Sequence, residues 1–404
     1  MRKRIAYIGW TEPGDVSGAT LALQRHLFNN AEWEVLVITD KPYKGVGSAG
    51  NWIELKRSFI HRRLSKTRLR QMVAQYEMLM EPYRFARRIE RRVRQFAPDV
   101  IHTIPDNTIS WVARLLACRL AIPFVCNFQD WWPRGQFHAP YEAPFPITRN
   151  VLERRFRIMY GESSVSFCTS EGFKRYLGEH PCSPVLYPCP ASRPAIRPAD
   201  ATASAPKCLR LIYGGTLIGD YGRMLLKLAR AFAERAHKDI ELHLYGGTPD
   251  WDASDIEWAR AQGIYRGRLS SSEFREKLAE ADSCLTVMSH SPELRVMMET
   301  SFTTKFLEYC QFAKPVLVWG PSYCEPIRVA KETSAGIPIE TNDPGDVIRE
   351  LLALKDPLRF KKYADGAWNA AITFFDPTSI HEVFRRHVLG NPNSPSVPIP
   401  TIHE

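Results

Sequence analysis

No run of apolar residues in this chain approaches the roughly 20 that a membrane-spanning helix needs. The start, "MRKRIAYIGW", has the charge of a secretory leader, but its apolar run ends at Thr11-Glu12-Pro13-Gly14. That is too short for a leader's hydrophobic core, so the segment reads as a first strand beginning at residue 4. There is no C-x-x-C pair. The nine cysteines are odd in number, and the closest two are Cys182 and Cys189. This argues against a zinc site and a disulfide framework, and for a reducing cytoplasm. A G-x-G-x-x-G fingerprint is also missing, which leaves a dinucleotide site without positive support. Acids are scarce in one place. Residues 56–94 hold thirteen Lys or Arg against three Glu, a local excess of ten that equals the whole formal charge of +10. The remainder is about neutral, which favours a local docking surface over a generally adhesive protein.

With 404 residues, 44% hydrophobic and 11% aromatic, the chain is globular and too long for one ordinary core. Two domains of about 200 residues each are expected. Strands and amphipathic segments alternate. "RIAYIGW" (4–10), "EVLVITD" (34–40), "DVIHTI" (99–104), "PFVCNFQD" (123–130), "SVSFCTS" (164–170) and "PVLYP" (184–188) read as strands. Helical patterns such as 19–29 and 110–120 separate them. A Pro-, Ala- and Ser-rich stretch at 191–207 reads as a linker. The alternation then restarts with "LRLIYGG" (209–215), "IELHLYGG" (240–247), "SCLTVM" (283–288), "KPVLVWG" (314–320) and "AGIPIE" (335–340), with helices at 221–236 and 271–281 between them. The expected fold class is α/β, with two doubly wound Rossmann-like domains facing across a cleft. The expected divisions are 1–190, the linker, 208–375, a helix at 376–390 crossing back to the first domain, and a disordered tail at 391–404.

In doubly wound sheets ligands bind beyond the carboxyl ends of the strands, so chemistry is sought there. Gly14 and Gly18 lie in the turn after the first strand. Gly214, Gly215 and Thr216 end the first strand of the second half, and Tyr245, Gly246, Gly247 and Thr248 end the next. Glycine lets a phosphate-bearing ligand approach backbone amides, although a plain loop also accommodates it. Arg266 and Gly267 lie beside a further strand end, ahead of the cap-like Ser270–Glu273. "NFQDWWP" sets Asp130 at a strand end with Trp131 and Trp132. The carboxylate suits a hydroxyl proton and the rings suit sugar faces, or the three form a capped aromatic core. His102 ends a strand, and His138 is a weaker candidate. In "SFTTKFLEYCQFAKPVLVWG", Lys305 and Glu308 share a helix face behind Thr303 and Thr304. They form either a solvated ion pair or a site for an anion and hydroxyls.

Taken together, these segments resemble the family 4 glycosyltransferases of the two-domain GT-B fold, over roughly residues 4–375. "TTKFLEYCQFAKPVLVWG" resembles the family's P-x-K-L-x-E-Y-x-A-x-G-K-P-V segment, with Lys305, Glu308, Tyr309, Lys314, Pro315 and Val316 in place. "FQDWWP" resembles the D-x-W-P stretch of members that make surface polysaccharides. "TSEGFKRYL" and "EFREKLAEADSCLTVM" match further family stretches. The resemblance implies that Glu308 binds the donor's ribose and that Thr303, Thr304 and Lys305 face the diphosphate or donor sugar. It also implies that Gly215, Thr216 and the Gly18 loop close on the phosphates, and that transfer is retaining with no metal or other cofactor. Departures are specific. The family usually has a glutamate eight residues before the ribose glutamate, where this chain has Thr300. Many members have Arg and Lys after the Gly-rich strand end, where Thr216 and Tyr221 stand here. Arg223 and Arg295 are nearby in sequence.

The implied partners are a nucleotide sugar and a glycan or lipid-linked acceptor in surface polysaccharide or glycolipid synthesis. Arg84, Arg87, Arg88 and Arg91, with Phe85, Ile89 and Val93 between them, read as an amphipathic basic helix. That helix suggests an anionic membrane partner for 56–94 and a cytoplasmic enzyme peripheral to the membrane's inner face. The segment lacks regular aromatic interleaving, and no nucleic acid partner is expected. Alternatives are a sugar-nucleotide epimerase on the same fold, a non-catalytic sugar-binding member, and a nucleic-acid-binding protein.

Overall fold

The computed structural model describes residues 2–14, 18–29, 32–56, 63–64, 66–134, 143–190, 197, 208–235 and 239–390. The expected linker, apart from Arg197, the tail at 391–404, His138, Arg57 and Arg62 lie outside the described residues. The chain divides into two compact units, Met1–Cys189 with Ile380–Glu404, and Pro190–Ser379.

The first unit is a six-stranded parallel sheet: β1 (Lys3–Ile8), β2 (Trp33–Thr39), β3 (Trp52–Glu54), β4 (Val100–Thr103), β5 (Phe124–Phe128) and β6 (Val165–Cys168). Their order across the sheet is β3-β2-β1-β4-β5-β6, with every neighbouring pair parallel. Parallel strands covered on both faces need apolar residues on both faces. Ile5, Ala6, Tyr7 and Ile8 are accordingly all fully buried. Two sequence expectations change here. Trp52–Glu54, half-buried and only three residues long, is an edge strand too short to leave an alternating pattern. Of Pro184–Pro188, only Val185 makes a strand-like bridge, to Cys168.

The second unit repeats the plan with β7 (Leu209–Gly214), β8 (Ile240–Tyr245), β9 (Tyr265–Gly267), β10 (Ser283–Val287), β11 (Val316–Trp319) and β12 (Ile337–Ile339). Its order is β12-β11-β10-β7-β8-β9, again all parallel. In both sheets the winding reverses beside the first strand, between β1 and β4 and between β7 and β10. These are the topological switch points, where the helices diverge and a crevice opens. The fold is therefore α/β with two doubly wound sheets.

Two local features position the first unit's surface. The helix Arg70–Phe96 contains Pro82, which removes the N–H that would bond the Met78 carbonyl. Arg155, from the helix Pro146–Glu162, supplies the missing donor: its guanidinium reaches Met78 O at 2.9 Å and Leu79 O at 2.8 Å. The helix Pro377–Leu389 closes the described chain, and from Ile380 onward it belongs to the first unit. Phe384 packs among His26, Trp33, His102 and Phe167, and Lys3 Nζ donates to the helix's last carbonyls at Val388 (2.8 Å) and Leu389 (2.6 Å). Those carbonyls have no partner within the helix itself.

Candidate functional site

The strongest concentration of chemistry lies in the second unit, at the carboxyl ends of β7, β8 and β9. β7 pairs with β8 over six residues but with β10 over only two, Leu211 and Ile212. Past Ile212 the β10 side of β7 has no strand partner. The Tyr309 hydroxyl fills the gap, accepting from Gly214 N at 3.1 Å and donating to Gly214 O at 3.3 Å. Tyr309 stands on the short helix Thr304–Cys310, fixed by buried Phe306, Leu307 and Cys310. The helix is thereby pinned to the strand end.

Lys305 lies one turn before Tyr309 on the same helix face, so the same pin aims it. Its ammonium sits 5.4 Å from the Tyr213 ring centroid. A Cβ on Gly215 would fall 2.2 Å from Lys305 Cε and 2.5 Å from Nζ, and Gly215 has φ +147. Only glycine meets both conditions. Part of the residue's surface stays accessible, but the ammonium end is packed against protein, and desolvation lowers its pKa below 10.5. Glu308 acts in the opposite direction as the second influence. Among the described residues Lys305 makes no hydrogen bond and no ion pair. A desolvated cation whose only counter-charge, Glu308, forms no ion pair with it is costly to maintain and marks an anion site. The surface ion pair considered from sequence is therefore not what forms.

The expected glycines gather at the same edge. Gly215 N donates to Tyr245 O at 2.9 Å, and Gly246 N to Gly267 O at 2.9 Å. A Cβ on Gly246 would lie 2.2 Å from Gly215 O. Gly215, Gly246 and Gly267 thus form a ledge free of side chains across three strand ends. Tyr245 underlies it, its ring 5.7 Å from Phe274. Thr216 is exposed, and its carbonyl accepts from the Tyr213 hydroxyl at 2.8 Å. Thr303 is the N-cap of the Lys305 helix, without a side-chain capping bond, and Thr304 opens it. Arg266 does not join the ledge. From the edge strand β9 its guanidinium lies 3.2 Å from His243 Nε2 on β8, and His243 is pushed down to about 4, chiefly by burial.

The departures noted in the sequence acquire a structural account. Thr300 is fully buried, and its hydroxyl donates back to Val296 O at 2.8 Å. Glu299 is held by Arg295 at 2.6 Å, and Arg295 also stacks over Tyr323. Arg223 pairs with Asp220 at 3.1 Å. Asp220, in the first turn of the helix Gly219–Arg235, also accepts a short hydrogen bond from Ser289 Oγ. Ser289 follows β10 and Asp220 follows β7, so this pair bridges the switch point. In the sequence Asp220 is marked only by the flanking Gly219 and Gly222. Ser289 stands in a loop with no motif to announce it.

In the first unit the expected residues separate. Trp131 is core, 2% exposed and surrounded by Phe156, Phe173 and Tyr176. Asp130 is exposed at the end of β5. Gly18 opens the helix Gly18–Leu27, and residues 15–17 of its loop lie outside the described set. His102 is buried between Tyr7 and Phe384, and burial holds it down at about 3. The residue that reasoning from sequence missed is Asp106. It follows β4, and Thr11, following β1, donates to it across the switch point. Burial raises the Asp106 carboxyl to about 7, with a smaller push from Asp130. The helix Arg70–Phe96 turns Phe85, Ile89 and Val93 into the core, and leaves Arg84, Arg87, Arg88 and Arg91 exposed. The apolar residues between the arginines thus serve packing and are not available to a bilayer.

Comparison with known proteins agrees with this architecture. Residues 18–187 match the family model described as a glycosyl transferase 4-like domain. Sucrose-phosphate synthase from Thermosynechococcus elongatus superposes with a TM-score of 0.62 at 15% identity, covering 95% of this chain and 98% of that one. HepE from Anabaena in complex with UDP-glucose gives 0.60 at 11% identity, covering 96% and 99%. A putative UDP-N-acetylglucosamine 2-epimerase from Listeria monocytogenes gives 0.54 at 14% identity, covering 95% of each chain. No curated protein matches the sequence. The likenesses define the class, a GT-B fold. Within that class, the match over residues 18–187 points the same way as the resemblance in the motifs.

Proposed function

We propose that this protein is a retaining glycosyltransferase. It moves a hexose-type sugar from a nucleotide-sugar donor to a glycan or lipid-linked acceptor in surface polysaccharide or glycolipid synthesis. The observation that supports this most is the Lys305 ammonium, desolvated, in no ion pair among the described residues, and lodged against Gly215 at the second switch point. A diphosphate supplies the missing negative charge, and Lys305 in turn stabilises it as the leaving group when the sugar–phosphate bond breaks. In this reading no metal is needed for that neutralisation. The glycine ledge admits the flat parts of the nucleotide against backbone. Glu308, on the Lys305 helix, accepts hydrogen bonds from ribose hydroxyls. With Thr300 turned inward, Asp220 is the carboxylate placed at the switch point to meet the donor sugar. Asp130 is the acceptor-side carboxylate in this reading.

Thermal-shift measurements with UDP, GDP and ADP sugars test the proposal and name the donor. Stabilisation by one base series, lost in Glu308→Ala with the fold intact, is the expected result. No shift with any nucleotide sugar removes the reading. The likeness to an epimerase gives a second reading, which predicts free nucleotide and altered sugar without an acceptor. The glycosyl transferase 4-like domain favours transfer.

A further inference from the structure

The solvent side of the helix Arg70–Phe96 is divided along its length. Leu69, its N-cap, and Met72, Tyr76 and Met80 are 50, 62, 49 and 47% exposed. Steps of three, four and four residues place them within an arc of about 80° on a helix that turns about 100° per residue. They form an apolar ridge about 16 Å long. Arg84, Arg87, Arg91 and Arg94 continue the same side through the last turns, and all are exposed. The opposite side, including Ala74, Phe85, Ala86, Ile89 and Val93, is buried. The ridge is therefore a second apolar face, additional to the one the core uses. Buried Gln75, away from the ridge, holds the neighbouring segment: it donates to Ala143 O at 3.1 Å and accepts from Phe145 N at 2.9 Å. Phe145 and Ile147, on that segment and the helix after it, are 36% and 79% exposed. Four of the twelve exposed large apolar side chains among the described residues thus line one face of one helix, which is clustering rather than scatter.

We infer that this helix is a membrane anchor: the Leu69–Met80 ridge enters the boundary between headgroups and acyl chains of an anionic bilayer, and Arg84–Arg94 hold its headgroups. Charge complementarity selects this occupant. Of the helix's three acids, Glu81 is buried, Glu77 is half-buried on the flank of the ridge and Glu90 is engaged by Arg94 (3.2 Å) and Arg119 (3.4 Å), so the exposed face is mainly apolar and basic. An interfacial helix has that composition, with large apolar residues beside Lys and Arg. A second copy of the chain would set the arginine stripe against itself or against the ridge, and neither pairing is complementary. The inference deepens the transferase reading by choosing its lipid-linked acceptor. It rests on that reading for its purpose only, because vesicle binding is measured without turnover.

The test is flotation of the full chain with phosphatidylcholine vesicles containing about one third phosphatidylglycerol, and with phosphatidylcholine alone. The wild type is expected to float with the anionic vesicles and to stay down with the neutral ones. Met72→Glu combined with Met80→Glu weakens binding about tenfold or more. Arg87→Glu combined with Arg91→Glu removes the preference for anionic lipid. Both variants keep the wild-type circular dichroism and nucleotide-sugar thermal shift, since these residues face solvent. Wild-type protein that does not float, or a double methionine variant that floats unchanged, overturns the anchor and leaves the donor reading untouched. Self-association in sedimentation equilibrium that the methionine variant abolishes, without lipid binding, assigns the ridge to a second copy and likewise overturns it.

Discussion

Replacing Lys305 with Met separates its cost from its use. The lysine pKa is lowered from 10.5, with desolvation as the main cause and Glu308 opposing it. The charged form is therefore disfavoured in the folded state relative to the unfolded one. A folded-state pKa below the unfolded value means a penalty fully present below the folded pKa, relieved as pH rises toward 10.5. Methionine keeps the stem's packing against Tyr213 and removes the charge. The ligand-free protein is then expected to be as stable as wild type or up to about 1 kcal/mol more stable. For a unit of this size that corresponds to at most about 2–4 °C in Tm. Binding moves the other way. A hydrogen bond from an ammonium to a phosphate oxygen is worth about 1.5–3 kcal/mol, so nucleotide-diphosphate affinity falls about ten- to a hundredfold. Calorimetric titration with the nucleoside diphosphate found by thermal shift, alongside urea unfolding of the ligand-free variant, reads both quantities. Unchanged affinity in Lys305→Met would mean the ammonium does not meet the phosphates. A ligand-free loss beyond about 2 kcal/mol would mean the lysine is a packing residue, and either result refutes the reasoning.

Gly215→Ala places a methyl where the Lys305 side chain lies and strains a backbone at φ +147, so it costs about 1–3 kcal/mol of stability and displaces Lys305; urea unfolding and nucleotide titration should both show the loss. Asp106, raised from 3.8 to about 7, binds a proton in the folded state that the unfolded state releases, so its contribution falls as pH rises from about 4 through 7. Asp106→Asn should flatten that part of the stability–pH curve and stabilise the protein at pH 8 by about 1–3 kcal/mol, measured by denaturant midpoints across pH. Arg155→Ala strands the Met78 carbonyl, takes a second donor from Leu79 O and removes the guanidinium from the Trp111 ring, which lies 5.2 Å away. A loss of about 2–4 kcal/mol in urea unfolding is expected, with Arg155→Lys recovering part of it.

The sequence by itself determined the two successive alternations of strand and helix and the apolar β11. It also determined the glycine-bearing strand ends and the Lys305–Glu308–Tyr309 spacing. These are local signals: a strand buried on both faces must be continuously apolar, and a close backbone approach must be glycine. The short edge strands β3 and β9 escaped, since three residues carry no period. What the tertiary structure alone decided is direction and partnership. Trp131 and Thr300 turn inward, Arg266 turns to His243, and Asp220 meets Ser289 and Asp106 meets Thr11 across the switch points. The arginine-rich helix buries the apolar side that the sequence offered to a membrane and exposes another, Leu69 to Met80. A helical period shows that two faces differ. Which of them meets the core depends on elements far away in the chain, such as the Arg155 helix, and that is fixed only when those elements pack.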